Sequence, residues 1–284
     1  MRFDFQYLKR DMKSIVLKIN MKNLLYTFLL IAFFSSCSEY QRAIKSEDVE
    51  FKTAVATKKY EKGKYHKAIR LFEQVSPVLK GKPQSENVFY MFSQSYYKTE
   101  QFYLSGYQFE SFAALYPKSE KAEEAAFLSA KSYSELSTVY SLDQTETDKA
   151  INKLQNFINA YPNSTYLADA NVVVKALREK LEKKAFEIAK QYNTISEFKP
   201  AIKALDNFIA DYPGTPYKEE ALYYKLNASY QLAINSIPSK MEERLNAAKT
   251  AQADLLKFNA NTQYKKEADE MLARIDKDLQ QFSK

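Results

Sequence analysis

The residues of this 284-residue chain that carry chemistry are few and widely spaced. It has one cysteine, Cys37, one histidine, His66, and no tryptophan. A single cysteine and a single histidine cannot complete the ligand set of a zinc site, and no disulfide can form within the chain. We therefore expect no metal site. The chemistry left to Cys37 is modification of its own thiol.

Two pairs of adjacent glutamates are further candidates for chemistry, because paired carboxylates can serve as acid and base. Glu123-Glu124 and Glu219-Glu220 both follow a Tyr-Pro turn at the same interval, and that repetition favours complementation of helix dipoles instead. His66 lies at a helix start, at a position that we expect to face solvent. The four glycines stand far apart, which excludes a glycine-rich phosphate site. The sequence therefore predicts no enzyme and no cofactor.

An apolar run ends shortly before Cys37. Residues 24–34 are too few to cross a bilayer, which needs about 20 apolar residues. A short apolar run behind a basic start predicts a secretory signal peptide over residues 21–36, with residues 1–20 as an over-extended start or a long basic region. FSSC at 34–37 resembles a bacterial lipobox, in which the cysteine is diacylated through a thioether. The alternative is a buried free cysteine after an ordinary signal peptide.

Lipidation of Cys37 predicts a membrane-anchored mature protein, because several acyl chains anchor stably where one does not. Ser38 follows the cysteine where the inner-membrane retention signal has an aspartate. Glu39 alone does not make the acidic run that sends some lipoproteins to the cell surface. We expect an outer-membrane anchor that faces the periplasm, and a polar tether over residues 37–48.

The net charge of +7 does not predict a nucleic-acid partner. Residues 1–36 hold six Lys/Arg and two Asp, so the mature chain has 36 basic and 33 acidic residues, or +3. Most of the basic excess belongs to the predicted leader, and it leaves little to steer the mature chain to a polyanion.

The mature chain repeats one pattern at intervals of 45, 51 and 47 residues. Its copies are Tyr116-Pro117-Lys118-Ser119, Tyr161-Pro162-Asn163-Ser164, Tyr212-Pro213-Gly214-Thr215 and a degenerate Asn259-Ala260-Asn261-Thr262. A proline ends one helix, and the hydroxyl residue is expected to cap the next. Before Pro117, an aromatic, a small and two large apolar residues share one helix face: Phe102, Ser105, Phe109 and Phe112.

These features resemble the tetratricopeptide repeat, including its proline near the repeat end. They predict an all-α protein, an α-solenoid of about five helix pairs preceded by a lipoprotein signal peptide. The link over residues 134–146 is longer than the standard turn, and residues 165–193 read as one long helix. We expect an N-terminal lobe over 49–163 and a C-terminal lobe over 164–284, closed by a charged capping helix.

Tyrosines exceed the needs of the repeat core in the second repeat. They are Tyr90, Tyr97, Tyr103 and Tyr107. One interpretation is that they pack between repeats with their hydroxyls at the surface. The other is a concave surface that holds an extended peptide with an aromatic end, since solenoids offer elongated grooves.

The chain from Cys37 to about residue 280 resembles the BamD family, lipoproteins of the bacterial β-barrel assembly machinery. The most specific part is Tyr161-Pro162-Asn163-Ser164 with Tyr166 and Asp169-Ala170, supported by Tyr96-Tyr97-Lys98. The resemblance implies five repeats in two lobes. It also implies that the C-terminal lobe docks on the periplasmic domains of the BamA-type barrel subunit. The N-terminal lobe would receive the aromatic-ended C-terminal signal of unfolded outer-membrane proteins.

A second hypothesis remains open from the sequence. The chain could be another periplasmic repeat lipoprotein, associated with the Tol-Pal system or with glycan and nutrient uptake. The glycan-binding type relies on tryptophan platforms, and tryptophan is missing here.

Overall fold

The computed structural model describes residues 38–82 and 85–282, and these ranges contain helices and turns but no strand. Twelve α-helices follow one another in the described part, before a 3-10 turn at Gln280–Phe282. They are α1 Ser38–Lys45, α2 Val49–Glu61, α3 Tyr65–Leu79, α4 Glu86–Lys98, α5 Phe102–Leu115, α6 Ala122–Ser134, α7 Thr145–Ala160, α8 Leu167–Thr194, α9 Phe198–Asp211, α10 Lys218–Ile234, α11 Pro238–Phe258 and α12 Lys265–Leu279. The all-α prediction is confirmed.

Neighbouring helices pair in the order that the repeat pattern predicts. Helix α2 packs on α3, α4 on α5, α8 on α9 and α10 on α11. The first helix of a pair also packs on the first helix of the next, as α2 does on α4, α8 on α10 and α10 on α12. Contacts between each repeat and its neighbour are the organisation of an α-solenoid, so the repeat prediction is confirmed.

The core is built from the positions that recur before each proline. On α5, Ser105, Phe109 and Phe112 are buried. The equivalent buried residues of α7 and α9 are Ala150, Leu154, Phe157, Ala201, Leu205 and Phe208. The first position of the pattern, Phe102 or Phe198, is only half-buried, because it opens its helix at the edge of the pair.

The turn between repeats has the same geometry in four places. Before α6, the amide of Ser119 donates to the carbonyl of Tyr116 (3.0 Å), and the Ser119 hydroxyl accepts from the amide of Lys121 (3.0 Å). The same bond from the amide two residues on is accepted by Ser164 (3.0 Å), Thr215 (3.3 Å) and Thr262 (3.3 Å). These hydroxyls hold the turn before the helix. The expectation that they cap the helices themselves is wrong for α8, α10 and α12, where a tyrosine occupies the N-cap position.

Glutamates at helix starts join neighbouring repeats. Glu86 accepts from the Ser119 hydroxyl (2.5 Å). Glu219 accepts from the Thr262 hydroxyl (2.5 Å) and from Nδ2 of Asn259 (3.1 Å), and these bonds hold the pKa of its carboxyl below the usual value. The acidic residues therefore connect one repeat to the turn of the next, in addition to complementing the helix dipole.

The residues predicted as a polar tether are helical from Ser38 to Lys45. Helix α1 packs on α2 and α3 and buries Tyr40 and Ala43 in one cluster with Val55 and Phe72. Tyr40 and Ala43 stand three residues apart and so share a helix face. The first repeat thus begins before the predicted boundary at residue 49. Cys37 and the predicted leader, residues 1–36, lie outside the described residues.

The lengthened link and the long helix occur where the sequence predicts them. Helix α8 has 28 residues. The link between α6 and α7 lies along α8, where Lys180 Nζ donates to the Ser137 hydroxyl (2.6 Å) and Lys184 Nζ to the Leu142 carbonyl (2.6 Å). The α8 lysines therefore hold this link against α8.

The chain divides into two compact units, with Ser132 last in the first and Tyr133 first in the second. The division falls near the end of α6, immediately before the long link. The sequence places the boundary between lobes one helix later, after residue 163.

Candidate functional site

The four tyrosines singled out in the sequence lie on two helices of the first unit. Tyr90 and Tyr97 are on α4, two turns apart, and are buried and half-buried. Tyr103 and Tyr107 are one turn apart on α5 and are 65% and 53% exposed. The structure therefore divides them into a pair on the first helix of the repeat and a pair on the second.

Tyr90 packs its ring in the core and places its hydroxyl at a polar surface. The ring makes edge contacts with Phe109 (5.9 Å between centroids) and Phe112 (5.6 Å). Its hydroxyl accepts from Nε2 of Gln94 (3.0 Å). Burial raises the pKa of the Tyr90 hydroxyl well above its usual value, and the nearby Glu124 carboxylate adds to the rise. Tyr90 is therefore a neutral hydroxyl at any physiological pH.

Tyr90 belongs to a row of polar and aromatic side chains that runs over α2, α4 and α6. We call this row the first-helix face, and it consists of Tyr60, Asn87, Tyr90, Gln94, Tyr97, Lys121 and Glu124. Lys121 Nζ lies 4.4 Å from the centroid of the Tyr90 ring and donates to Oδ1 of Asn87 (2.9 Å). The half-buried Tyr60 has a raised hydroxyl pKa, from burial first and then from Tyr65 and Glu124.

The first-helix face brings together groups that sequence reasoning did not connect. Lys121 and Glu124 follow the Tyr116-Pro117 turn, and they meet Tyr90 because α6 packs beside α4, as the buried Ala125 shows. The signal available in the sequence was the repeat period itself, which puts the start of each first helix beside the start of the previous one. The row offers hydroxyl, amide, ammonium and carboxylate groups beside aromatic rings.

Tyr97 packs at the end of α4, whereas Tyr103 and Tyr107 stand apart from the first-helix face. The Tyr97 ring contacts Phe102 edge-on (5.8 Å). Tyr103 and Tyr107 share the surface of α5 with the partly exposed Leu104. Binding of a peptide by any of the four tyrosines stays a prediction.

The second unit has a related arrangement that is closed by its own ion pair. Lys190 Nζ lies 4.9 Å from the ring centroid of Tyr224 and 5.5 Å from that of Phe186, and it pairs with Glu220 (2.9 Å). Burial acts to lower the pKa of Lys190, but the hydrogen bond to Glu220 together with the nearby charges of Glu220, Tyr224 and Glu187 outweighs it, and the net shift is upward. Phe186 also stacks on Tyr217 (5.4 Å). The Lys190 ammonium and the Glu220 carboxylate are thus engaged with each other.

An apolar groove of about 470 Å³ lies on the outer side of α8. Its lining includes Tyr140 of the long link and Ile188, Tyr192 and Ile195 of α8 and the turn after it. The Tyr192 side chain is 38% exposed.

The remaining candidates for chemistry lie apart from one another. His66 is exposed at the start of α3. Glu219 and Glu220 point to different partners in neighbouring elements. Within residues 38–82 and 85–282, no group of three or more His, Cys, Asp or Glu side chains is placed to hold a metal ion. Among those same residues, no helix is both long enough and apolar enough to cross a membrane.

Proteins named outer membrane protein assembly factor BamD are similar to the chain in three organisms. The relative from Caulobacter vibrioides is 24% identical over 66% of this chain, and the match spans 61% of its length. The relatives from Haemophilus influenzae and Pasteurella multocida are 20% and 22% identical over 77% and 79% of this chain, covering 87% and 90% of theirs.

A solved structure with repeats of the tetratricopeptide type, a putative kinesin light chain from Podosopora anserina, aligns with 76% of this chain and 98% of its own. Its identity to this chain is 14% and its TM-score 0.30. A family model described as YfiO, outer membrane lipoprotein, matches residues 47–245. That match covers well over half of the chain, which therefore belongs to the YfiO family of outer membrane lipoproteins.

Proposed function

We propose that this chain is a lipid-anchored, non-enzymatic scaffold that helps to recruit and insert outer-membrane β-barrel proteins. The support is its family, together with the assembly-factor name that its relatives carry. Acyl groups on Cys37 would hold it at the periplasmic face of the outer membrane. Its partners would be the BamA-type barrel subunit and unfolded barrel substrates, and its work would be protein–protein contact without a cofactor.

The observation that carries the proposal is the chemistry of the first-helix face. An unfolded barrel presents a C-terminal strand that ends in an aromatic residue and a carboxylate. Lys121 offers an ammonium group for the carboxylate, and Gln94 and Glu124 offer hydrogen-bonding groups for the strand backbone. The rings of Tyr60 and Tyr97 supply apolar contact with hydroxyl tips for the aromatic end.

Photo-crosslinking in the cell envelope tests this surface. A photoreactive residue at Gln94 is expected to capture outer-membrane barrel proteins before they fold. The same residue at Lys240, which is exposed on α11, serves as the control and is expected to capture none. Equal capture of barrel chains at the two positions would place the recognition surface elsewhere.

The groove on α8 is where we propose that the barrel subunit docks. It combines exposed aliphatic side chains with an aromatic ring, the composition of a docking surface that excludes water. Ile188→Asp is expected to abolish co-purification of the barrel subunit with the tagged protein. Val172→Asp is the matched control, since Val172 is 68% exposed on the same helix outside the groove, and Ile188 is 53% exposed. Loss with both variants, or with neither, would contradict this assignment.

A further inference from the structure

A cluster of lysines surrounds the turn between α2 and α3, directly beside α1. The turn closes with two backbone bonds, from the amide of Gly63 to the carbonyl of Tyr60 (2.8 Å) and from the amide of Lys64 to the carbonyl of Lys59 (2.8 Å). This is the Schellman pattern, and it requires the left-handed backbone that Gly63 adopts with φ of 66°. The chain reverses there within a few residues and keeps the lysines before and after it close together.

The cluster consists of Lys59, Lys62, Lys64 and Lys67. The charges of the other three contribute to lowering the pKa of Lys59, after its partial burial, which reports their proximity. Within the part of the chain that the structure describes, Lys62, Lys64 and Lys67 are exposed and make no ion pair. Glu39, whose charge acts on Lys59, is paired with Lys58 (2.9 Å). Residues 58–67 hold five lysines and one acid, Glu61, so the turn keeps a net positive charge.

Helix α1 ties this cluster to the start of the mature chain. The Tyr40 ring lies under the ammonium groups of Lys67 (5.4 Å) and Lys59 (5.9 Å). Cys37 precedes Ser38, the first residue of α1. An acyl chain on Cys37 would therefore enter a bilayer at the N-terminal end of α1, and α1 itself packs beside the lysines with no tether after Ser38 to separate them.

The charge distribution along the chain agrees with this placement. Residues 38–82 hold 11 Lys/Arg and six Asp/Glu, a net charge of +5. The rest of the mature chain, residues 83–284, holds 25 Lys/Arg and 27 Asp/Glu, a net charge of −2. The basic excess of the mature protein is thus confined to the repeat next to the anchor.

We propose that Lys59, Lys62, Lys64 and Lys67 form a membrane-contact surface that binds anionic phospholipid head groups at the bilayer holding the Cys37 lipid. The proposal rests on the proposed lipid anchor for its position. Its physical basis is that an acyl chain and a polybasic patch together bind a membrane more firmly than either alone. The paired signals would also fix which side of the first repeat faces the bilayer.

Vesicle flotation of the unlipidated mature chain, Cys37→Ser, tests the surface apart from the anchor. The probes are vesicles of phosphatidylethanolamine with phosphatidylglycerol, and vesicles of phosphatidylcholine alone. We expect binding to the anionic vesicles that weakens as salt rises, because screening shortens the reach of the charges. Equal binding to both kinds of vesicle, or no binding to the anionic ones, would overturn the proposal.

Charge variants assign the binding to the cluster. Lysine near an anionic surface contributes about fivefold in affinity, equivalent to about 1 kcal/mol, so a triple Lys62→Gln, Lys64→Gln, Lys67→Gln variant is expected to bind at least tenfold more weakly. Lys59 is left intact because, unlike the other three lysines, it is half-buried. The matched control replaces three exposed lysines of the second unit: Lys240→Gln, Lys257→Gln and Lys266→Gln.

Three outcomes separate the alternatives. Arginine at the same three positions is expected to restore binding, which shows that charge matters and that the fold is intact. Equal loss in the cluster variant and the control would contradict the proposal, since it would show a response to total charge only. Failure of the lipid anchor has a different readout. If Cys37 does not carry the anchor, the full-length Cys37→Ser protein stays in the membrane fraction of cells at high salt.

Discussion

Replacing Tyr40 by alanine is expected to release α1 from the first repeat without unfolding the rest of the unit. The Tyr40 side chain is 7% exposed and packs with the buried Ala43, Val55 and Phe72. Helix α1 has only eight residues, and a helix of that length is not stable alone in water. Its order therefore depends on what Tyr40 and Ala43 bury.

The magnitude follows from that packing. Truncating a buried aromatic side chain to alanine costs about 3–5 kcal/mol, and each lost cation–π contact adds about 0.5–1 kcal/mol. The measurable loss is limited by the docking free energy of α1, because beyond that limit the helix detaches. With about 1.4 kcal/mol per factor of ten, a loss of about 3 kcal/mol lowers amide protection in α1 by about a hundredfold.

Hydrogen–deuterium exchange measures this release directly. Amides of α1 are expected to exchange rapidly in the Tyr40→Ala variant, whereas those of α4 and α5 keep their protection. Tyr107→Ala is the control, because its side chain is largely exposed and its removal should leave α1 unchanged. The amide of Ser46 donates to the Arg42 carbonyl at the end of α1 (2.9 Å). Wild-type protection of that amide in Tyr40→Ala would refute the reasoning.

Two further variants test hydrogen bonds between neighbouring helices. The Tyr96 hydroxyl donates to Glu73 of α3 (2.8 Å), so Tyr96→Phe is expected to lower the unfolding free energy by about 1–2 kcal/mol in urea; equal loss in the control Tyr97→Phe would contradict this. Glu219 has a pKa below its usual value, owing to hydrogen bonds from Thr262 and Asn259. Its contribution to folding stability is therefore present above the unfolded pKa of about 4.3 and is lost as pH falls through the lowered folded pKa. Thr262→Val is therefore expected to flatten the fall of thermal stability with acid, and an unchanged acid profile would count against the bond.

The repeat core could be predicted from the sequence because its residues recur at fixed intervals within each helix. The spacing of Phe109 and Phe112 before Pro117 returns in Leu205 and Phe208 before Pro213, and all four are buried. Such spacings need only the helical period and the turn-forming proline. They give the phase of each helix without knowledge of its neighbours.

The candidate site could be predicted only in part, because its residues come from helices that lie far apart in sequence. Tyr90 was singled out, yet the groups around its hydroxyl and ring, Gln94, Lys121 and Glu124, meet only when α6 packs beside α4. Residue type alone also grouped Tyr103 with Tyr90, although the two lie on different helices. Tertiary packing decides which helix surfaces face each other, and composition carries no record of it.

The error about the tether explains why the basic cluster could not be recognised in the sequence. If residues 37–48 are interpreted as a tether, they separate the anchor from the array. The mature protein is then described only by its net charge of +3. Two buried side chains in a helix of eight residues are too short a pattern to show a period. Because Tyr40 packs against α2 and α3, the lysines of the Gly63 turn lie beside α1, which begins directly after the proposed lipidation site. Under the proposed membrane contact, the local charge at that turn, and not the net charge of the whole chain, governs how the first repeat meets a bilayer.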